Sequence, residues 1–84
     1  MRIHVHLFAG LRDRVSSDDR GRSEVELNEG ATLAGLIEQL EIPDSLAQMV
    51  LIDGLRAPRS REERATRTLE DGQTVSIFPP IAGG

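Results

Sequence analysis

The sequence predicts an α+β domain in which a mixed sheet of four to five strands carries one main helix on one face. Three observations lead to this prediction: short stretches that alternate polar and apolar residues, one apolar stripe at helical spacing, and turn residues between these stretches. With 84 residues, the chain can bury a single modest core, so we expect one folded unit over residues 1–78.

The first two predicted strands lie near the beginning of the chain. Ile3, Val5 and Leu7 alternate with polar or aromatic residues, which is typical of a strand with one face on a core. Residues 9–22 are polar and predict a connecting loop with a turn of helix. Residues 24–27 alternate again, and we expect this second strand to pair with the first as an antiparallel hairpin.

The main helix is predicted after a turn at residues 28–30. Thr32 is a suitable N-cap, because its hydroxyl can accept a hydrogen bond from the first helical turn. Four apolar residues then recur at helical spacing and form one stripe that must cover a sheet: Leu33, Leu36, Ile37 and Leu40. We expect Pro43 to end this helix.

The second half of the chain predicts two more strands. Residues 49–52 form a compact apolar run that ends at Asp53-Gly54, and residues 74–78 alternate after the turn signal Asp71-Gly72. Between them, residues 56–68 show little periodicity and hold five arginines against two glutamates. We interpret this arginine-rich segment as a solvated loop, with a docking patch for an acidic partner as the alternative.

The predicted order is strand, strand, helix, strand, irregular segment and strand. A helix that crosses between strands covers one face of the sheet and leaves the other to solvent or a partner. This arrangement is compatible with the β-grasp fold, although the pattern does not distinguish it from other small α+β sheets. His4, His6 and Phe8 should share the uncovered face, and we expect no metal there because no third ligand stands at a recognisable spacing.

Composition excludes several classes of function. The net charge is −4 and Trp and Tyr are absent, which argues against nucleic acid. No apolar run suits a membrane span or a signal peptide, and with no cysteine there is no disulfide framework, so we expect a cytoplasmic protein. No nucleophile elbow or phosphate loop is present; we expect no catalysis by this chain alone and no bound cofactor.

Residues 79–84 predict a tail that leaves the last strand. Pro79 and Pro80 favour an extended, stiff backbone, and Ala82-Gly83-Gly84 can then adapt to a narrow channel. Six residues reach at most about 20 Å. A bare terminal carboxylate becomes reactive after activation, for example as an acyl adenylate made with ATP by a partner enzyme. The alternative is a frayed terminus without function.

Four stretches carry a resemblance over essentially the whole chain: HLFAGLRD, EGATLAGLIEQL, TLEDGQTVSI and FPPIAGG. Together they resemble the MoaD/ThiS family of small sulfur carriers, and most of all its molybdopterin synthase small-subunit branch. The segment MVLIDGLRAPRS is also similar to the thiamine-pathway carriers, which usually lack the double proline.

The resemblance implies a ubiquitin-like β-grasp fold and adenylation of Gly84 by a ubiquitin-activating-type enzyme. A sulfur donor would then convert Gly84 to a thiocarboxylate, and in the molybdopterin branch the sulfur goes to a pterin precursor inside the large synthase subunit. By the same resemblance, Ile81, Ala82 and Gly83 would thread the partner's channel. The implied partner surface has these members: Phe8, Leu11, Phe78, Pro79 and Pro80.

Two further hypotheses stay open. The chain could be a protein modifier joined through Gly84 to lysines of target proteins, and since it contains no lysine it could not be extended through its own side chains. It could also be a plain interaction domain with an inert tail. Oligomeric state, the receiving pathway and the identity of the activating enzyme do not follow from the sequence.

Overall fold

The computed structural model describes residues 1–14 and 21–80, which form five strands, two α-helices and one 3₁₀ helix. In chain order they are β1 (Arg2–Leu7), the 3₁₀ helix (Ala9–Arg14), β2 (Arg22–Glu26), α1 (Leu33–Gln39), β3 (Met49–Ile52), β4 (Leu55–Arg56), α2 (Arg61–Thr66) and β5 (Thr74–Phe78). Within these described ranges, neither α-helix is long and apolar enough to cross a membrane.

The sheet is mixed, with strand order β2-β1-β5-β3-β4. β1 pairs with β2 antiparallel, as predicted, and places Ile3 opposite Val25. β1 also pairs with β5 in parallel, so the first and last strands lie side by side at the centre. A helix-backed mixed sheet with this strand order is the β-grasp arrangement, and the predicted fold class is confirmed. Because β5 is central, the chain leaves the domain from the middle of the sheet.

The core fills the space between α1 and one face of the sheet. Alternate residues of β1, β3 and β5 are at most 2% exposed: Ile3, Val5, Leu7, Val50, Ile52, Val75 and Ile77. They pack with Leu33, Leu36 and Ile37 of α1, and Leu40 is partly buried against the same cluster. The period-2 and helical patterns of the sequence therefore correspond to a single core, and no helix of residues 1–14 and 21–80 lies on the other sheet face.

Helix α1 begins as predicted and ends earlier than predicted. Thr32 is the N-cap, and its Oγ1 accepts a hydrogen bond from the Gly35 N–H at 3.1 Å. At the other end, Glu41 has a φ of 58°, and the Ile42 N–H donates to the Ile37 carbonyl at 3.2 Å. This left-handed turn closes the helix before Pro43, so the expectation that Pro43 ends it is wrong.

Part of the arginine-rich segment is regular, which corrects its interpretation as a loop. β4 follows β3 through a two-residue turn in which Asp53 and Gly54 both have positive φ, 51° and 83°. Helix α2 begins at the N-cap Ser60, whose Oγ accepts from the Glu63 N–H at 3.1 Å. The sequence signals were an Asp-Gly pair between apolar residues and a Ser followed three positions later by Glu.

Candidate functional site

The candidate site is an apolar patch on the sheet face that α1 leaves open, at the end where β5 leaves the sheet. We define the apolar patch as Phe8, Met49, Leu51 and Phe78, which are all half-buried. Strand register places Met49 opposite Phe78 and, two residues further along β3, Leu51 opposite Ser76. The side chains that alternate with the core residues therefore collect at the point where the tail begins.

Two stacked aromatic rings form the centre of the apolar patch. Phe8 and Phe78 have ring centroids 4.1 Å apart and planes 10° from parallel, and His6 extends the stack with its ring 4.0 Å from that of Phe8. The Phe8 N–H donates to the Ile77 carbonyl at 3.2 Å, which continues the parallel β1–β5 pairing by one residue. Backbone pairing thus brings into contact two residues that lie 70 positions apart in the sequence.

The root of the tail is held by the neighbouring strand. The Gln48 N–H donates to the Phe78 carbonyl at 3.1 Å, so β5 is hydrogen-bonded up to its last residue. Pro79 follows half-buried and Pro80 is exposed. Since neither proline has a backbone N–H and both have a restricted φ, the chain leaves the sheet in a fixed direction. The other expected tail residues lie outside the described residues: Ile81, Ala82, Gly83 and Gly84.

Leu11 occupies a different position from its neighbours in the expected partner surface. Its side chain is 2% exposed and belongs to the core. The 3₁₀ helix directs Leu11 inward, and its N–H donates to the Phe8 carbonyl at 3.1 Å. In this conformation Leu11 supports the backbone beneath Phe8 and offers no side-chain surface to a partner.

Charged residues flank the apolar patch on the β4 side. Arg56 lies on the same face as Leu51, its register partner, and its Nη2 is 3.6 Å from the Met49 Sδ. Arg59 lies beside it, and together they line a recess of about 190 Å³. We call it the arginine recess, and it is lined by Gln48, Met49, Val50, Arg56, Ala57 and Arg59. Sequence analysis did not single out Arg56 or Arg59 within the arginine-rich segment.

The opposite end of the open face carries paired charges. The Arg2 Nε lies 3.1 Å from Glu26 Oε1 and 3.7 Å from Glu24 Oε2, and these partners raise the pKa of Arg2, the hydrogen bond to Glu26 most of all. His4 also approaches Glu24, with Nδ1 at 3.8 Å from Oε2. Across residues 1–14 and 21–80, no three histidine or carboxylate side chains cluster to hold a metal ion.

A β-grasp domain with an apolar patch beside the exit of its central last strand has the architecture of the ubiquitin-like carrier and modifier proteins. The model of the ThiS family matches residues 5–84, and the chain belongs to this family of small sulfur carriers and modifiers.

The proteins that this chain resembles have different names. The chain is 30% identical to small archaeal modifier protein 3 of Haloferax volcanii, over the whole of both chains. It is similar in structure to a putative molybdopterin converting factor subunit 1 from Pyrococcus furiosus, with a TM-score of 0.69 and 24% identity over 96% of this chain and 99% of the other. A Helicobacter pylori complex of molybdopterin-converting factor subunits 1 and 2 contains a chain that matches with a TM-score of 0.61 and 18% identity over both full chains.

Proposed function

We propose that this protein is a sulfur carrier whose reactive group is the carboxylate of Gly84. The proposed partner, a ubiquitin-activating-type enzyme, uses ATP to convert this carboxylate to an acyl adenylate and releases pyrophosphate. A donor that supplies sulfur at the oxidation level of sulfide then attacks the acyl carbon, the bond to the AMP oxygen breaks, AMP leaves, and a thiocarboxylate remains. This chain contributes the docking surface and the substrate carboxylate and performs no catalysis alone. We place this chemistry in the cytoplasm.

The observation that carries the proposal is the position of the apolar patch at the root of the tail. Phe8 stacks on Phe78, the residue directly before Pro79, so a partner that covers these rings also lies where the tail begins. Contact between the partner and the apolar patch can therefore position the short tail in the partner's active site. Membership of the ThiS family supports the same chemistry.

Within this role, we propose that the sulfur is used to make molybdopterin, with this chain as the small subunit of molybdopterin synthase. The large subunit would bind the apolar patch and receive Gly84 next to a pterin precursor. The Phe78-Pro79-Pro80 sequence supports this branch, and so does the similarity to two structures of molybdopterin-converting factor subunits.

The sulfur-carrier proposal is tested by the intact mass of the protein after incubation with the source organism's adenylating enzyme, ATP and a sulfur donor. We expect the mass change for replacement of one oxygen by sulfur at Gly84, and no change in a matched variant that lacks Gly84. An unchanged mass in the wild-type protein would contradict the proposal, and it would favour an interaction domain if the shortened variant also behaves like wild type in cells.

A protein modifier is the second candidate, because the chain is 30% identical to a small archaeal modifier protein. In that role, lysine amines of target proteins attack the activated Gly84. Immunoblots of cells that express a tagged wild-type chain should then show adducts of higher mass that disappear in the variant that lacks Gly84. A sulfur carrier without modifier activity shows the thiocarboxylate mass and no such adducts.

The molybdopterin branch has its own test. The purified thiocarboxylate form, mixed with the large synthase subunit and the pterin precursor, should lose its sulfur and yield the dithiolene product. The unmodified form is the matched control. A thiocarboxylate that survives this mixture would rule out the branch and direct the search to thiamine or cysteine synthesis.

A further inference from the structure

The arginine recess adjoins the apolar patch, and one residue belongs to both. Met49 is opposite Phe78 in the β3–β5 register, and it also lies 3.6 Å from the Arg56 guanidinium through its sulfur. A partner that covers Phe78 and Met49 therefore also covers at least part of Arg56. Whether the charge of Arg56 has a partner therefore affects the stability of every complex formed through the apolar patch.

Arg56 and Arg59 have no carboxylate partner within the described part of the chain. The ion pairs of that part include those of Arg2, His4, Arg61 and the N-terminal amine, and neither Arg56 nor Arg59 takes part in them. The contact of Arg56 with the Met49 sulfur is a weak one and does not neutralise its charge. Among residues 1–14 and 21–80, these two cations therefore have no compensating carboxylate beside the apolar surface, in a protein whose net charge is −4.

The backbone under the arginine recess is fixed by two hydrogen bonds. The Ala57 N–H donates to the Val50 carbonyl at 2.8 Å, which holds the segment against β3. Arg64 is 3% exposed, and its Nε donates to the Pro58 carbonyl at 2.8 Å from inside the domain. Arg59 is the residue after Pro58, so its position relative to Arg56 is set by the fold.

We propose that the arginine recess binds carboxylate side chains of the protein partner that covers the apolar patch. This inference rests on the proposed function. Burial of an unpaired guanidinium is unfavourable, so a partner that covers Arg56 must supply an anionic acceptor to gain from the apolar contact. Carboxylates accept two hydrogen bonds from a guanidinium fork, and paired charges at an interface give specificity and faster association.

The partner of this inference is the proposed adenylating enzyme, which must lie at the root of the tail to reach Gly84 and would carry an acidic strip beside an apolar groove. The occupant is a protein surface because the arginine recess is continuous with the apolar patch at Met49. Arg56 and Arg59 would then be specificity-determining residues that select among enzymes able to accept a similar tail.

The test compares charge reversals at two places on this chain. Arg56→Glu, Arg59→Glu and the double variant remove the arginine recess, and Arg67→Glu is the matched control. Arg67 is exposed and belongs to the same arginine-rich segment, but its carbonyl accepts from the Leu33 N–H at the start of α1, on the covered side of the sheet. Arg56→Gln removes the positive charge without reversing it and leaves a shorter polar side chain.

The measurement is pyrophosphate release by the source organism's adenylating enzyme, with the chain as the varied substrate. We expect the double charge reversal to raise KM about tenfold or more with little change in kcat, since truncated interfacial charge pairs mainly weaken binding. Arg56→Gln should raise KM less, and Arg67→Glu less than about twofold. Added salt should raise the wild-type KM more steeply than that of the double variant.

The outcomes separate this inference from the proposed function. If the wild-type chain supports no pyrophosphate release, the proposed function is wrong and this inference falls with it. If the wild type is a substrate and the double charge reversal has the KM of Arg67→Glu, the inference alone is overturned. Thermal melting of each variant shows whether the fold is kept, and Arg56→Gln provides the comparison if a reversal unfolds the domain.

Discussion

Phe8 and Phe78 stack nearly parallel at 4.1 Å; Phe8 follows the last residue of β1, and Phe78 ends β5 directly before the two prolines of the tail. The contact is built by the parallel β1–β5 pairing, in which Leu7 lies opposite Ile77. Aromatic pairs of this kind contribute about 0.5–1.5 kcal/mol beyond the area they bury. Because both rings remain partly exposed, the pair also forms a surface that a partner can cover.

Replacement of Phe78 should therefore affect both binding and folding. We expect Phe78→Ala to raise KM for the adenylating enzyme about tenfold, because an aromatic residue at the centre of an interface often contributes more than 1 kcal/mol. The free energy of unfolding should fall by about 1–2 kcal/mol through the lost stacking and packing. Pyrophosphate release and urea unfolding measure the two effects.

His4→Ala is the control for Phe78→Ala. His4 lies on the same sheet face but at the far end, where it approaches Glu24. We expect the KM of this variant to stay within about twofold of wild type, because His4 is exposed and lies away from the apolar patch. Equal effects of the two substitutions would show that the apolar patch is not the docking surface.

The helix caps give a second prediction, which concerns stability alone. Thr32 Oγ1 and Ser60 Oγ each accept a hydrogen bond at 3.1 Å from the first turn of α1 and α2. Thr32→Ala and Ser60→Ala should each lower the free energy of unfolding by about 1 kcal/mol, since an N-cap satisfies a helix N–H that is otherwise unpaired. Thr32→Ser keeps the acceptor and is the control; if it costs as much as Thr32→Ala, the hydrogen bond is not the cause.

A third prediction concerns the buried arginine of α2. Arg64 is 3% exposed, and burial lowers its pKa, while the nearby charge of Asp44 opposes this effect. For a base, a pKa lower in the folded than in the unfolded state means that the charged form is disfavoured by folding. This cost is present at all pH values below the folded-state pKa, and so throughout the neutral range.

Arg64→Met should accordingly unfold with a free energy within about 1 kcal/mol of wild type, because a flexible apolar chain fills the site without a charge. Both substitutions leave the Pro58 carbonyl without its donor, and Arg64→Ala should lose about 1–3 kcal/mol because it also removes the packing of the side chain. Urea unfolding at neutral pH compares them. A loss in Arg64→Met as large as that in Arg64→Ala would mean that the hydrogen bond outweighs the cost of the charge.

Sequence periodicity predicted most of the fold, because an element that buries one face must carry apolar residues at a regular spacing. Ile3, Val5 and Leu7 alternate because one side of β1 contacts the core, and Thr32 precedes the first turn of α1 because that turn has unpaired N–H groups. β4 and α2 were missed for the opposite reason. β4 is two residues long and exposed, and α2 buries only Arg64, so neither shows an apolar period.

Within the candidate site, only the residues implied by the resemblance to known carriers could be predicted. Phe8 and Phe78 were expected at the partner surface, and the structure brings them together. Leu11 was expected there too, but the direction of its side chain depends on the 3₁₀ helix after β1. Arg56 and Arg59 could not be assigned, because their approach to Met49 arises from the β3–β4 pairing, which links residues without a periodic pattern.

The last prediction concerns the stiffness of the tail at Pro79 and Pro80. A proline that is already in the required conformation saves about 0.4–1 kcal/mol of chain entropy when that conformation is fixed. If the partner binds the tail in an extended conformation, replacing both Pro79 and Pro80 by alanine should weaken productive binding by the sum of the two proline contributions. This sum corresponds to an increase in KM of about four- to thirtyfold. Stability should change little, because Pro80 is exposed and neither proline donates a backbone hydrogen bond.

The matched control for the tail is Pro43→Ala. Pro43 is also exposed, and its carbonyl accepts from the Leu46 and Ala47 N–H groups, bonds that alanine can keep. Its KM in the pyrophosphate assay should equal that of wild type. A double variant at Pro79 and Pro80 that also equals wild type would mean that the partner, and not the prolines, imposes the path of the tail from Phe78 onward.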